Sequence, residues 1–464
     1  MSAKNQKVVF IPLEIASREL DYKTILAALI AQPDVYCFVG QHNLLNKLLK
    51  SVRGGVYFGK NIFPERFPCS MTHYNLLKKQ GHSLAFYHEE GGVLAGSEKD
   101  WKIELSRQID PAYLSNDDAI LCWGEYQYNF YNSVSPDHKP FIHNVGCPRF
   151  DLGKGSEISE LLNQISRVDE SGYILFNTNF AAMNHHIDNL TWFNNTLKKD
   201  NSLQHTLNTI SIYGQTMQVL GNFLEMIALV VAEFPNKKFF LRPHPSENLS
   251  FYNGILSSFK NLEIVRDYTA IEWIHRCDLL IQNGCTTSLE AYFMNKKIIS
   301  FYPFENKSNV NITRGIGIGT QQASEVIEVI KNLNKYPIQN SDLKGISKLI
   351  ANFESTQSSF QKICQIINNM LDSKKGESFS MLQIKAYAFI HSGFIRIKEL
   401  GKFISPTKKK NIKYFNSNFP GFNNQQLEEK VAVIENILNK DLELTYVNKD
   451  LFIITEQTNK KSNK

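Results

Sequence analysis

Paired cysteines, long apolar runs and a marked charge excess are all missing from this chain of 464 residues, and each absence removes a class of protein. The seven cysteines are odd in number, scattered at positions 37, 69, 122, 147, 277, 285 and 364, with no CxxC pair and no metal-ligand spacing. That excludes a disulfide scaffold and makes a reducing cytoplasm the expected setting. Cys37, Cys122 and Cys285 lie in or beside strand-like runs, where a free thiol behaves as a small buried hydrophobe. The 51 Lys and Arg exceed the 45 Asp and Glu by only +6, too little to mark a nucleic-acid surface. No run approaches the roughly eighteen apolar residues of a membrane span, and the polar start leads straight into a strand pattern rather than a secretory signal. Any membrane contact is therefore expected to be peripheral. Internal repeats and low-complexity tracts are absent too. What is present is an ordinary apolar share of 42%, enough for packed cores, in a chain too long for one of them.

Short β-rich runs alternate with helical periodicity from residue 7 to about 302. Strands are expected at Lys7–Ile11, Val35–Gly40, Gly55–Phe58, Ser83–Tyr87, Ala119–Trp123 and Phe141–Val145. A second series runs through Tyr173–Phe176, Lys238–Leu241, Leu262–Val265, Leu279–Gln282 and Lys297–Phe301, with a long helical stretch at Thr209–Glu233. Strands alternating with helices predict parallel sheets covered on both faces. The expected division is 1–152, 153–342 and 343–464, the last made of bracing helices at Ile346–Leu371 and Ser380–Lys402 and a basic C-terminal segment. The basic, aromatic Thr407–Phe415 and the closing Lys460–Lys464 read as a solvated tail or as an attraction to anionic lipid.

Polar clusters close several of these strands, where open α/β sheets hold ligands. Tyr87-His88-Glu89-Glu90-Gly91-Gly92 sets two carboxylates at a strand end, followed by glycines that let a substrate approach. A carboxylate there, its pKa raised by burial, can exchange a proton with an acceptor hydroxyl. In Arg242-Pro243-His244-Pro245 the prolines fix the backbone, so His244 is aimed and can donate to a phosphate or a base carbonyl, with Arg242 adding charge. Gly284-Cys285-Thr286-Thr287-Ser288 precedes the helical Leu289–Met294 and offers hydroxyls and amides to a phosphate, with Glu290 available to ribose hydroxyls. An ordinary helix cap is the competing account of that segment. Asn177-Thr178-Asn179 and His185-His186 close the first strand of the second series; with no carboxylate or cysteine at suitable spacing the histidines do not read as a metal pair. Asp151, after Gly146-Cys147-Pro148-Arg149-Phe150, is either a nucleophile or a salt bridge or cap. Gly315-Ile316-Gly317-Ile318-Gly319 lacks the preceding strand and following Lys-Ser/Thr of a phosphate loop and is expected to be a flexible loop.

Taken in order, Glu89-Glu90-Gly91, His244-Pro245 and Thr286-Thr287-Ser288 resemble the acidic-acidic-glycine, histidine-proline and paired Ser/Thr motifs of bacterial GT-B transferases that use CMP-activated sugars, sialyltransferases and Kdo transferases among them. Ile11–Glu14, Ser17–Asp21, Gly146–Asp151, Asn177–Phe180 and Asn184-His185 are similar to surface-carbohydrate biosynthesis proteins related to the retaining β-Kdo transferases. The resemblance covers roughly residues 7–302. It implies two Rossmann-like domains facing a central cleft, with C-terminal bracing helices, and transfer from CMP-β-Kdo or a related donor to a glycan or glycolipid at the inner membrane face. On that reading Arg242, His244, Pro245, Thr286, Thr287, Ser288, Glu290, Asn177, Asn179 and His185 bind the donor, and Arg18 and Gly91 the acceptor. Glu90 and Glu89 handle the proton, and Asp151 is the nucleophile if configuration is retained; Glu90 alone serves as base if it is inverted. No cofactor, metal or nucleic acid is implied. A transferase for sialic acid, UDP-sugar or CDP-glycerol, and a non-catalytic scaffold, are the alternatives.

Overall fold

A computed structural model describes residues 6–63, 71–135, 141–154, 156–186, 188, 190–198, 200, 202–304, 313, 315–338, 343, 346–400 and 419–457. The chain forms two compact units. Unit 1 comprises residues up to Gly92, Glu98–Ile165 and Gly345 onward; unit 2 comprises Val93–Ser97 and Ser166–Lys344.

Unit 1 is built on β1 (Lys7–Leu13), β2 (Val35–Gln41), β3 (Val56–Phe58), β4 (Ser83–Tyr87), β5 (Ala119–Cys122) and β6 (Ile142–Asn144), all parallel. Unit 2 is built on β7 (Ile174–Asn177), β8 (Phe239–Arg242), β9 (Leu262–Ile264), β10 (Leu279–Gln282), β11 (Lys297–Phe301) and β12 (Ile318–Thr320), again parallel. These strands read as nearly unbroken apolar runs because both faces are covered: Phe239, Leu241, Leu279, Leu280 and Ile281 are wholly buried. The order β12-β11-β10-β7-β8-β9 is that of a dinucleotide-binding sheet, whose direction of winding reverses between β7 and β10. In unit 1 the order β2-β1-β3-β4-β5-β6 reverses between β1 and β3. The fold is thus α/β with two doubly wound, Rossmann-like units.

The structure departs from the sequence expectation at three places. The glycine run taken as a flexible loop contributes β12, which pairs with β11 through Ile299↔Ile318 and Phe301↔Thr320. The stretch expected as a separate third part, 343–464, belongs from Gly345 onward to unit 1. Among the described residues its α-helices are Ser359–Asp372, Met381–Leu400 and Asn424–Leu438, followed by a hairpin that the sequence did not suggest, β13 (Leu442–Asn448) and β14 (Leu451–Glu456). β14 pairs antiparallel with β2, from Leu451↔Gly40 to Ile454↔Cys37, and so covers the edge of the unit 1 sheet. A Cβ at Gly40 would sit 2.7 Å from the carbonyl of Asp450, so only glycine admits the hairpin this closely. Lys440 then donates to the carbonyls of Ala28, Leu29 and Ala31, satisfying the end of the helix Ala16–Ile30. Lastly, unit 1 continues to Ile165, beyond the crossing expected at 153. Thr407–Phe415 and Lys460–Lys464 lie outside the described residues. Cys37, Cys122 and Cys285 are buried thiols, as their strand positions predicted.

Candidate functional site

At the carboxyl edge of unit 1 the two adjacent glutamates have different partners. The helix Ala16–Ile30 presents Glu19, Tyr22 and Lys23 inward, at the three- and four-residue spacing of one helical face. Lys23 is fully buried, and its ammonium reaches Glu19 at 2.7 Å, Glu89 at 2.6 Å and the Pro12 carbonyl at 2.6 Å. Tyr22 adds its hydroxyl to both oxygens of Glu89. Burial opposes the charge on Lys23, but the two carboxylates outweigh it and raise its pKa. Burial likewise works against ionised Glu89, and Lys23 with Tyr22 reverses it, so Glu89 stays below the ordinary carboxylate range. Glu89 is therefore locked in a buried ion cluster.

Glu90 points outward with half of its side chain exposed, and its Oε1 lies 2.9 Å from Arg18. The raised pKa expected for this motif is not found. Desolvation favours the acid, but Arg18, Lys60 and His88 win and hold Glu90 at about 2. His88, pushed to about 4 chiefly by burial, is neutral and accepts the Glu90 amide at Nδ1. Gly91 is buried against the helix Glu125–Val134 and its approach: an added Cβ would lie 3.0 Å from Trp123 and 3.1 Å from Gln127. Its smallness serves that packing.

At the same edge lies a cavity of about 350 Å³ lined by Glu14, His42, Lys60, Asn61 and His88 from the ends of β1, β2, β3 and β4, and by residues of the helices Thr72–Lys79 and Glu98–Gln108. It gives no sequence motif, because its lining comes a few residues at a time from four strand ends and two helices.

In unit 2 the strand ends converge across the β7/β10 reversal. Asn177 stands in register between Arg242 of β8 and Gln282 of β10. Its amide donates to Thr287 at 3.1 Å, and Asn179 donates to the Gly284 carbonyl at 3.3 Å. Gly284, at φ +80, makes the left-handed turn that other residues resist. Arg242 is buried and donates to the Tyr268 carbonyl; its charge is opposed mainly by desolvation, which brings its pKa to about 10, with Glu290 nearby partly restoring it. Its Nε, with Asn177 Oδ1 and Asn283 Oδ1, is buried without a hydrogen-bond partner. Buried polar atoms of that kind are completed by an ordered water or by a ligand.

His244 is held by its neighbours. Its amide donates to Thr178 Oγ1 at 3.4 Å, and Ser246 N donates to its Nδ1 at 3.2 Å, which leaves the neutral ring's hydrogen on Nε2. Thr178 in turn donates to Glu247 at 2.6 Å. Glu247, which closes the Arg242–Glu247 stretch and has no role in the sequence reading, is completely buried and also accepts from Phe180 N and Tyr252 OH, each at 2.5 Å. Desolvation is the largest influence on it and lifts its pKa to about 7. Arg266 fastens the same loop through the carbonyls of His244, Pro245 and Glu247. Pro245 thus contributes to the loop's clamp. His185 forms a backbone bridge with Glu247 and stacks on His186 at 4.6 Å, so it belongs to this clamp as well.

Glu247 makes stability pH-dependent with a definite sign. Its folded pKa is raised, so its contribution is complete below the unfolded value near 4.5 and is lost as pH rises through about 7. Denaturant midpoints should fall between pH 5 and pH 8, and Glu247→Gln should flatten that slope; an unchanged slope would reject the assignment.

Two more predicted site residues are taken up by structural roles. Ser288 is buried, and its hydroxyl donates to the Cys285 carbonyl within its own turn; Thr286 and Thr287 stay half-buried at the turn's surface. Asp151 is 2% exposed, with its oxygens taken by Asn352 at 2.7 Å and by Ser359 N at 2.5 Å, at the start of the helix Ser359–Asp372. Burial raises its pKa. It acts there as an anchor that joins residues 352–359 to the end of β6. Among the described residues no three His, Cys, Asp or Glu side chains are grouped to hold a metal.

No protein-family model and no curated protein matches the chain. Among solved structures, UDP-GlcNAc 2-epimerase of Methanocaldococcus jannaschii in complex with UDP-GlcNAc and UDP aligns with 78% of this chain and 100% of its own, at 15% identity and TM-score 0.44. The wall teichoic acid polymerase TagF covers 80% of this chain and 89% of its own at 14% identity and TM-score 0.42. A Staphylococcus aureus MnaA–UDP structure covers 81% and 100% at 10% identity and TM-score 0.46.

Proposed function

We propose that the chain is a glycosyltransferase that moves a sugar, Kdo or a related ulosonate, from a CMP-activated donor to a glycan or glycolipid acceptor. The observation that carries this reading is the convergence of Asn177, Arg242, His244 and Thr287 at the reversal point of a dinucleotide-type sheet, with three buried polar atoms lacking partners. Arg242 and the Nε2 hydrogen of His244 meet the phosphate and stabilise the charge that gathers on it as the sugar departs. Asn177, Asn179, Thr286, Thr287 and Glu290 fix the nucleotide, while the unit 1 cavity holds the acceptor.

Glu90 serves as base. The acceptor oxygen bonds to the anomeric carbon, the bond from that carbon to the phosphate oxygen breaks, and the acceptor proton passes to Glu90. A carboxylate this acidic takes the proton late, once the new bond is largely made, which suits an oxocarbenium-like transition state. Asp151, with both oxygens committed, is left out of the chemistry, so inversion is the favoured outcome.

Because Arg18 keeps Glu90 ionised, the pH profile of kcat/KM should show no limb from this group between pH 5 and 8. Arg18→Met should raise its pKa and move an acid limb toward that window; an unchanged profile would place the base elsewhere.

The test is incubation with CMP-Kdo, CMP-sialate, UDP-sugar and CDP-glycerol in turn, each with an acceptor panel, followed by mass spectrometry of products and intact protein. Transfer from CMP-Kdo without a protein adduct supports the proposal. Transfer from another donor alone replaces the nucleotide, an adduct at Asp151 restores the retaining route, and inertness of folded protein toward every donor favours a scaffold.

A further inference from the structure

The helix Leu203–Glu233 is the one element among the described residues long and apolar enough to cross a bilayer by length and composition, an exception to the expectation from the sequence. One side of it is core: Val219, Phe223, Met226, Ile227 and Val230 pack into unit 2 with Phe180, Leu241 and Phe301. The other side is apolar as well. Leu203, Leu207, Ile210 and Met217 are 73%, 52%, 51% and 43% exposed. Gly214 and Gly221 share that face, and a Cβ on either would meet nothing within 4 Å. The positions 203, 207, 210, 214, 217 and 221 step by four, three, four, three and four. That is the seam of a helix packed against another helix, about five turns long.

We infer that this seam is where a second copy of the chain docks, antiparallel, to make a homodimer. The order of large and small residues is self-complementary in that direction. With a twofold axis at residue 212, Ile210 of each copy lies over Gly214 of the other, Leu203 over Gly221, and Leu207 against Met217. Parallel pairing sets glycine on glycine and leaves two gaps. The charge pattern agrees: no Asp, Glu, Lys or Arg occurs from 201 to 224, and the exposed flanks Gln204, Asn208, Ser211 and Gln218 are neutral. Two copies therefore meet without like-charge repulsion. A lipid surface is a poorer match, because an interfacial helix carries Lys or Arg along its polar margins.

The experiment is analytical ultracentrifugation of the whole chain over a concentration series, alongside the double variant Leu207→Glu/Ile210→Glu. Both positions are exposed, so the variant should keep the wild-type circular dichroism and the melting temperature the wild type shows when diluted to monomer, while its dimer dissociation constant rises roughly 100-fold or more. Orientation is read by oxidation: Ile210→Cys mixed with Gly214→Cys should cross-link, whereas neither should cross-link alone, the unsubstituted chain serving as control for its own cysteines. A wild-type chain that stays monomeric, a dimer indifferent to the double variant, or binding to phosphatidylethanolamine/phosphatidylglycerol vesicles that the double variant abolishes would overturn the inference.

Discussion

Lys23→Met should remove about 3–5 kcal/mol from the stability of unit 1, the cost of breaking a buried ion cluster by deleting one partner. Lys23 is wholly buried and is the cation shared by Glu19 and Glu89. Without it, two carboxylates remain in a low-dielectric setting and must take up protons to stay there. Their folded pKa values then stand above the unfolded ones, so the penalty should be larger at pH 8 than at pH 5. Denaturant unfolding at the two pH values measures this. Lys23→Met/Glu19→Gln/Glu89→Gln should recover much of the loss, because replacing all the charges costs less than orphaning some. A loss below about 1 kcal/mol would mean that the cluster does not hold the turn carrying Glu90.

His244→Ala should leave the fold intact and lower kcat by roughly 100- to 1,000-fold, the usual effect of deleting one donor to a charge that develops in the transition state. The backbone clamp around the ring does not depend on its side chain alone: the amide of residue 244 still reaches Thr178, and Arg266 still binds the loop carbonyls. An equal fall in kcat and kcat/KM would show that the lost interaction belongs to the transition state. A change smaller than about threefold in both would remove His244 from the chemistry.

Much of the architecture was legible because interior parallel strands advertise themselves. Eleven expected strands are present within a few residues of their predicted ends, since runs such as Ile174–Asn177 and Leu279–Gln282 are apolar on both faces. β12 escaped notice because it is three residues long with a glycine at its centre. The C-terminal hairpin was missed for a different reason. β14 pairs with β2 some four hundred residues earlier in the chain, and nothing local in Leu451–Glu456 names that partner.

The site divides in the same way. His244 and Asn177 were readable from Pro-His-Pro and from a polar residue ending a strand. Glu89 and Glu90 were not separable, because their difference lies in which residue of the helix Ala16–Ile30 each one meets, Lys23 or Arg18. Ser288 reads as a phosphate ligand, and Asp151 as a nucleophile or a cap, until their hydrogen-bond partners are known. Glu247 gave no signal, since a glutamate after Pro-Ser reads as solvated and only the fold shows Thr178, Phe180 and Tyr252 closing around it.

Nucleotide binding at the ends of β7, β8 and β10 is what the proposed transferase activity requires first. Calorimetric titration of CMP, CDP and UDP into the wild type, Asn177→Ala and His244→Ala measures this directly, with thermal shift as a second readout that should reach about 2.7 kcal/mol of stabilisation at a hundredfold excess over Kd. The expected result is one site per chain that prefers CMP and weakens at least about tenfold in each variant. Absence of binding by any of the three nucleotides, or binding untouched by both substitutions, would contradict it.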